Sequence, residues 1–274
     1  MKLSIKVAML CAALPAVAML AAIPADAHRR WLLPSATVLS GDAETVTVDA
    51  AASNGLFIFE HRPLGLDDLV VTGPDGQPVG AKVIGQGEYR SVFDVPMQQQ
   101  GTYRIALVSN GIMGSYMLDG ERKRWRGSLA DADSAIPAGA TEVRLSRNNG
   151  RTETFATLGA PNDAALQPSG EGLEMIPVTH PNDLVTGEPA QFRFLMNGQP
   201  AADLKIEFIE GGTRYRDTPG LTEVTTDADG MVELTAERPG YYYIEAGTQS
   251  DETGDPRLES ARASYTAVLE FMPL

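Results

Sequence analysis

Beyond residue 44 the chain repeatedly alternates polar and apolar positions. Thr45-Val46-Thr47-Val48-Asp49-Ala50 and Tyr103-Arg104-Ile105-Ala106-Leu107 keep a period of two, and Phe192-Arg193-Phe194-Leu195-Met196 keeps it less cleanly. That is the signature of strands with one buried face. Turn sequences separate the runs. Gly73-Pro74-Asp75-Gly76, Asn197-Gly198 and Asp227-Ala228-Asp229-Gly230 supply the Gly or Asn that a tight turn with positive φ requires, so the sheets they imply are antiparallel. The continuous apolar run Leu56-Phe57-Ile58-Phe59 reads as a further strand. After residue 28 no window carries a sustained 3.6-residue apolar stripe with helix caps. Ser128 to Ala135, stopped by Pro137, reads as a short helical or irregular connection.

The second half predicts strands over Gln191–Asn197, Leu204–Glu210, Glu223–Thr226, Met231–Thr235, Tyr241–Ala246 and Ser264–Phe271, the count and spacing of an immunoglobulin-like or prealbumin-like sandwich. Between Leu158 and Gly172 alternation stops and Pro, Gly and Asn accumulate, marking a linker or long surface crossing. The expectation is an all-β protein of two antiparallel sandwich domains, over residues 28–160 and 173–274.

The first 27 residues carry another pattern. Lys2 and Lys6 precede an almost wholly apolar stretch from Val7 to Leu20, and Ala25-Asp26-Ala27 is a small-x-small cleavage signature. Together they predict a secretory signal peptide over 1–27, a periplasmic location and a mature chain that begins at His28. Pro15 and Pro24 interrupt the apolar stretch, which falls short of the ~20 unbroken apolar residues of a spanning helix. No direct membrane insertion is expected. Cys11, the only cysteine, lies in this segment behind the bulky Met9 and Leu10, where a lipoprotein signal wants a small residue. The mature chain then has neither disulfide nor thiolate metal site, and its stability rests on the core that 247 residues can build.

Charge narrows the partners. The whole chain carries −14, and loss of Lys2, Lys6 and Asp26 leaves 20 basic against 35 acidic residues. Such a surface repels nucleic acid and anionic membrane and attracts cations without selecting among them. Glu121-Arg122-Lys123-Arg124-Trp125-Arg126 is a basic run with an aromatic inside it, read in this acidic context as a solvated loop that pairs with the protein's own carboxylates or docks a partner. Asp227-Ala228-Asp229-Gly230 resembles the start of a calcium loop, but the twelfth position is Arg238, which leaves a hairpin turn. Tyr241-Tyr242-Tyr243 places two rings on one face of a strand and one on the other.

The chain has three histidines. Cleavage after Ala27 would give His28 a free α-amine beside its imidazole, a bidentate chelate open only to an N-terminal residue. With reference pKa values near ~8 and ~6.5, proton competition is mild at neutral pH and binding weakens in acid. His61, ahead of Arg62-Pro63, and His180, ahead of Pro181-Asn182-Asp183, both lie at strand-to-proline exits, where a rigid scaffold presents loop residues. The bland reading makes the latter two ordinary turn residues. No Cys nucleophile, Gly-x-Ser-x-Gly elbow or His-Glu-x-x-His helix is present, and no carboxylate spacing singles out an acid/base pair, so no enzyme is expected. The one catalytic route left open is a copper oxidase or oxygenase built on an N-terminal histidine brace.

These residues resemble a known family. His28-Arg29-Arg30-Trp31-Leu32-Leu33-Pro34-Ser35, Val48-Asp49-Ala50-Ala51 and Phe57-Ile58-Phe59-Glu60-His61-Arg62-Pro63-Leu64 are similar to the periplasmic proteins grouped as domain of unknown function 4198. So are Glu174 to Leu184, Gly187-Glu188-Pro189-Ala190, Gly211 to Arg216, Thr225 to Gly230 and Pro239-Gly240-Tyr241-Tyr242. The resemblance implies an accessory role in nickel or cobalt uptake, or in systems with outer-membrane receptors that handle iron. It carries His28, His61 and His180 over as candidate ligands of a transition metal: nickel, cobalt, copper, iron or zinc. The expected partners are that ion and a membrane transporter or outer-membrane receptor system. The alternative is a non-catalytic envelope interaction module without metal.

Overall fold

The computed structural model describes residues 28–274, so the signal peptide expected over 1–27 lies outside the described residues. The strands of the first half are β1 (Arg29–Pro34), β2 (Val38–Leu39), β3 (Glu44–Ser53), β4 (Arg62–Pro63), β5 (Leu69–Thr72), β6 (Lys82–Gln86), β7 (Ser91–Met97), β8 (Gly101–Leu118), β9 (Glu121–Gly127) and β10 (Thr141–Leu158). Those of the second half are β11 (Leu173–Pro177), β12 (Pro189–Met196), β13 (Gln199–Pro200), β14 (Lys205–Glu210), β15 (Leu221–Thr225), β16 (Met231–Thr235), β17 (Gly240–Ser250) and β18 (Leu258–Phe271). A helix of two turns, α1 (Leu129–Ala135), follows β9; the Ser128 hydroxyl accepts from the Asp131 N–H at its start.

The strands form three sheets. Sheet one has the order β1-β3-β7-β6 with β4 added to β3. Sheet two runs β15-β14-β17-β18-β10-β8-β5, with β2 and β9 attached. Sheet three is β11-β12-β13, with β16 against β12. Pairing is antiparallel except where β18 and β2 lie parallel to β10. The stretch 158–172 does not divide the sheets, and its Leu166 is buried in the same core as Phe155 and the strands of the second half. Residues 145–154 of the first half pair with β18 of the second, so both halves share sheet two.

Alternation explains how one sheet serves two cores. On β10, Phe155 joins the core made with sheet three, while Ala156 and Leu158 face sheet one. On β17, Tyr242 and Ile244 enter the first of these cores, and Tyr243 turns to the opposite face against Trp31. Sheets one and three therefore cover opposite faces of sheet two. A cluster of Trp31, Ala51, Leu56, Ile209, Tyr243 and Val268 joins the halves. Full burial of such large side chains contributes about 1.5–3 kcal/mol each. Beside it Tyr241 donates its hydroxyl to Pro34 O at 2.9 Å, and Arg29 pairs with Glu207 at 3.0 Å.

Three sequence expectations change in detail. The basic run 121–126 is strand β9, joined to β8 by a turn in which Asp119 (φ 53°) and Gly120 (φ 78°) are both left-handed. Its Arg122 pairs with Glu142 at 2.8 Å. Asp227–Gly230 is a tight turn, its Asp227 Oδ1 accepting from the N–H groups of Asp229 and Met231, but the strands it joins lie in different sheets. Leu56–Phe59 is a turn instead of a strand, with Phe57 at φ 59°. The apolar side chains explain the difference: Leu56, Phe57 and Phe59 all pack around Trp31, which an extended segment, sending alternate residues to opposite faces, cannot do.

Candidate metal centre

His28 and His61 lie 33 positions apart in the sequence, and the edge of sheet one brings them together. β1 and β4 both pair with the end of β3: Arg30 opposes Ala52, and Ala52 opposes Arg62. The residues just ahead of β1 and β4 thus meet at one end of the sheet. The imidazole rings stack with centroids 3.5 Å apart and planes 6° from parallel.

The segment between β3 and β4 is pinned from three sides. Trp31 meets the Phe57 ring edge-on at 5.8 Å, the Arg90 guanidinium lies 4.7 Å over the Phe59 ring, and Glu60 Oε1 accepts from Ser53 Oγ at 3.1 Å and the Gly55 N–H at 3.2 Å. Glu60 is thereby committed to the turn and does not join His61. Desolvation lowers the His61 pKa first, followed by repulsion from His28 and from Arg62. The shift favours the neutral imidazole, the form that ligates a metal. Neither ring makes a side-chain hydrogen bond among the described residues, so their nitrogens stay free for an incoming ligand.

His180 has the opposite situation. Its Nε2 lies 2.9 Å from Thr102 Oγ1, and its Nδ1 accepts the Asn182 N–H at 3.2 Å. Thr102 and Thr157 hydroxyls lie 3.0 Å apart, and Thr157 donates to Asn182 Oδ1 at 2.8 Å. The assignment that satisfies every group runs in one circle: His180 donates to Thr102, Thr102 to Thr157, Thr157 to Asn182, and the Asn182 backbone returns a proton to His180. The accepting lone pair of this imidazole is spent. Burial lowers its pKa, against smaller opposing effects of the Asn162 backbone, Asp163 and Asp183.

The strands also separate His180 from the pair. Arg30, two residues past His28, has its Nη1 beside Gly150 of β10, while His180 bonds Thr102, whose hydroxyl in turn contacts Thr157 of the same strand as Gly150. Seven strand residues at about 3.3 Å each put those levels about 23 Å apart. β1 leads from the Gly150 level toward Thr37, whose carbonyl accepts from the Thr157 N–H, so His28 lies at the far end. One ion with bonds near ~2 Å cannot bridge that span. Among the described residues no group of three or more His, Cys, Asp or Glu side chains is placed to hold a metal ion. The candidate donors are nitrogens: the His28 and His61 imidazoles and the α-amine that cleavage after Ala27 would free; stacking sets the two rings' in-plane lone pairs parallel, so a shared ion requires the rings to turn out of the stack. Such a set suits borderline divalent ions and leaves coordination positions open.

The model of the family described as "Domain of unknown function (DUF4198)" matches residues 25–250. The chain belongs to this family. No curated protein matches the sequence. Among solved structures, the D0-D1 domain of intimin is similar at 10% identity, with 88% of this chain and 97% of that chain covered and a TM-score of 0.23. Alpha-2-macroglobulin from Escherichia coli, over domains MG0-NIE-MG1, is similar at 10% identity, with 88% and 95% covered and a TM-score of 0.22. Among the described residues no helix is long and apolar enough to cross a membrane.

Proposed function

We propose that this DUF4198 member is a periplasmic, non-catalytic accessory protein that binds a transition-metal ion through His28 and His61 and holds it for an uptake system such as a nickel or cobalt transporter. The observation that carries the reading is the convergence of these two histidines, from separate strands, into ring contact at 3.5 Å beside the residue that would become the N-terminus. The ring nitrogens and the freed α-amine would supply three neutral donors, and the acidic surface would raise the local cation concentration. His180, hydrogen-bonded on both nitrogens, takes no part.

The test is a titration of nickel, cobalt, copper and zinc into protein whose N-terminus is verified as His28 by mass spectrometry, beside a form whose His28 α-amine is acetylated. The expected result is one ion per chain for the first form and loss of that binding in the second, because acylating the amine removes one donor of the chelate. Equal binding by both forms overturns the N-terminal ligand.

A further inference from the structure

On the face of sheet two that looks at sheet one, the core residues change character abruptly. Tyr103, Ile105 and Leu107 of β8 are buried, and the next positions on that face are Ser109 and Gly111. Across four strands one row reads Gly247, Ser264, Gly150 and Ser109, each paired with the next. Opposite, on sheet one, the core-facing positions change from Leu32 to Arg30 and from Ala52 to its paired Arg62. The result is a cavity of about 820 Å³ at this end of the sandwich, floored by small residues. Its volume falls in the range of small-molecule sites, about 300–1,000 Å³.

Four arginines from four different strands line it: Arg30, Arg62, Arg126 and Arg262. Asp68 lies 3.9 Å from Arg126. Among the described residues the other three have no carboxylate within 4 Å, and the Nε of Arg30 is buried without a hydrogen-bond partner. Asp67 and Asp68 also line the space, so four arginines stand against two carboxylates, a local excess of positive charge that would attract an anion although the chain as a whole carries −14.

We propose that this cavity binds a small organic anion with two or more carboxylates, held by Arg30, Arg62 and Arg262. The planar guanidinium fork accepts a carboxylate through two parallel N–H···O bonds. Because the arginines approach from separate strands, they match separated carboxylates better than one compact phosphate. Asn148, Asn149, Thr248 and Gln249 add neutral donors and acceptors for the ligand's remaining polar groups. This site stands independently of the histidine pair.

Calorimetric titration of the metal-free, full secreted chain with citrate, and separately with inorganic phosphate, tests the proposal. Citrate is expected to bind one to one, and phosphate more weakly. Arg62 and Arg262 are exposed, so R62Q/R262Q should fold as the parent does while losing roughly tenfold or more in citrate affinity through the missing charge-assisted bonds. G247L keeps every charge but fills the floor, and the nearest contact of its Cβ, Ala263 O at 3.5 Å, is ordinary; it should weaken citrate equally. H28A should bind citrate as the parent does, so failure of the metal reading leaves this result standing. Absence of citrate binding, or parental affinity retained in both R62Q/R262Q and G247L, overturns the site, and preference for phosphate overturns the carboxylate assignment.

Discussion

His61 and His180 look alike in the sequence, each following apolar residues and leading into a proline turn, yet the fold treats them differently. His61 stands exposed, its ring against His28 and no hydrogen bond on either nitrogen among the described residues. His180 is half-buried and closes a circle of four hydrogen bonds with Thr102, Thr157 and Asn182. The same side chain is thus left free to ligate in one place and consumed as a structural connector in the other. What separates the two is the supply of local partners: the strand ends near His180 bring hydroxyl and amide groups, whereas those near His61 bring a second imidazole.

The comparison breaks most sharply in metal binding. H61A is expected to weaken binding by about tenfold or more, equivalent to about 1.4 kcal/mol or more, while H180A leaves it unchanged in the same titration. If H180A weakens binding as strongly as H61A, the two environments do not differ in the way described.

Stability should show the reverse order. H180A leaves the Asn182 N–H without its acceptor, while the Thr102 hydroxyl keeps Thr157 and the Asn162 N–H, at a cost of about 1–3 kcal/mol in denaturant unfolding. H61A removes an exposed ring and should stay within about 0.5 kcal/mol.

A pH series sharpens the contrast further. The folded pKa of His180 is below its ordinary value, chiefly through burial, so the unfolded chain binds the proton more readily. The His180 contribution is therefore complete above the ordinary histidine range and declines as pH falls through about 6.5. Thermal midpoints measured from pH 7.5 to pH 5 should fall in the parent and fall less in H180Q; equal slopes would sink the assignment. The smallest effect is expected for E60Q. It keeps the size of the side chain that receives Ser53 and the Gly55 N–H but weakens those bonds, loosening the His61 turn and lowering metal affinity by a few-fold at most.

Much of the frame was legible beforehand because strand alternation is local. The runs at 45–50, 103–107 and 192–196 lie within β3, β8 and β12, and the turn residues Asn197 and Gly198 adopt the left-handed conformations their types favour. Leu56–Phe59 was not legible, because a short apolar run has no period of its own and its conformation depends on the distant Trp31 and Tyr241. The basic run could not be recognised as β9, since its pairing with β8 offsets a composition that reads as a loop. Nor do the arginines of the cavity form a motif: Arg30, Arg62, Arg126 and Arg262 are scattered across the chain and are gathered by strand register alone.

The sequence by itself therefore determined the β class, most strand and turn positions, membership of the DUF4198 family and the short list of histidines. These depend on side-chain period, on the φ preferences of Gly and Asn, and on residue identity. Tertiary structure alone decided that β10 and β18 join the halves in one sheet, that His28 meets His61, and that His180 is spent on its neighbours. Pairing partners and hydrogen-bond closure are long-range properties, set by which strands pack together and invisible to any window along the chain.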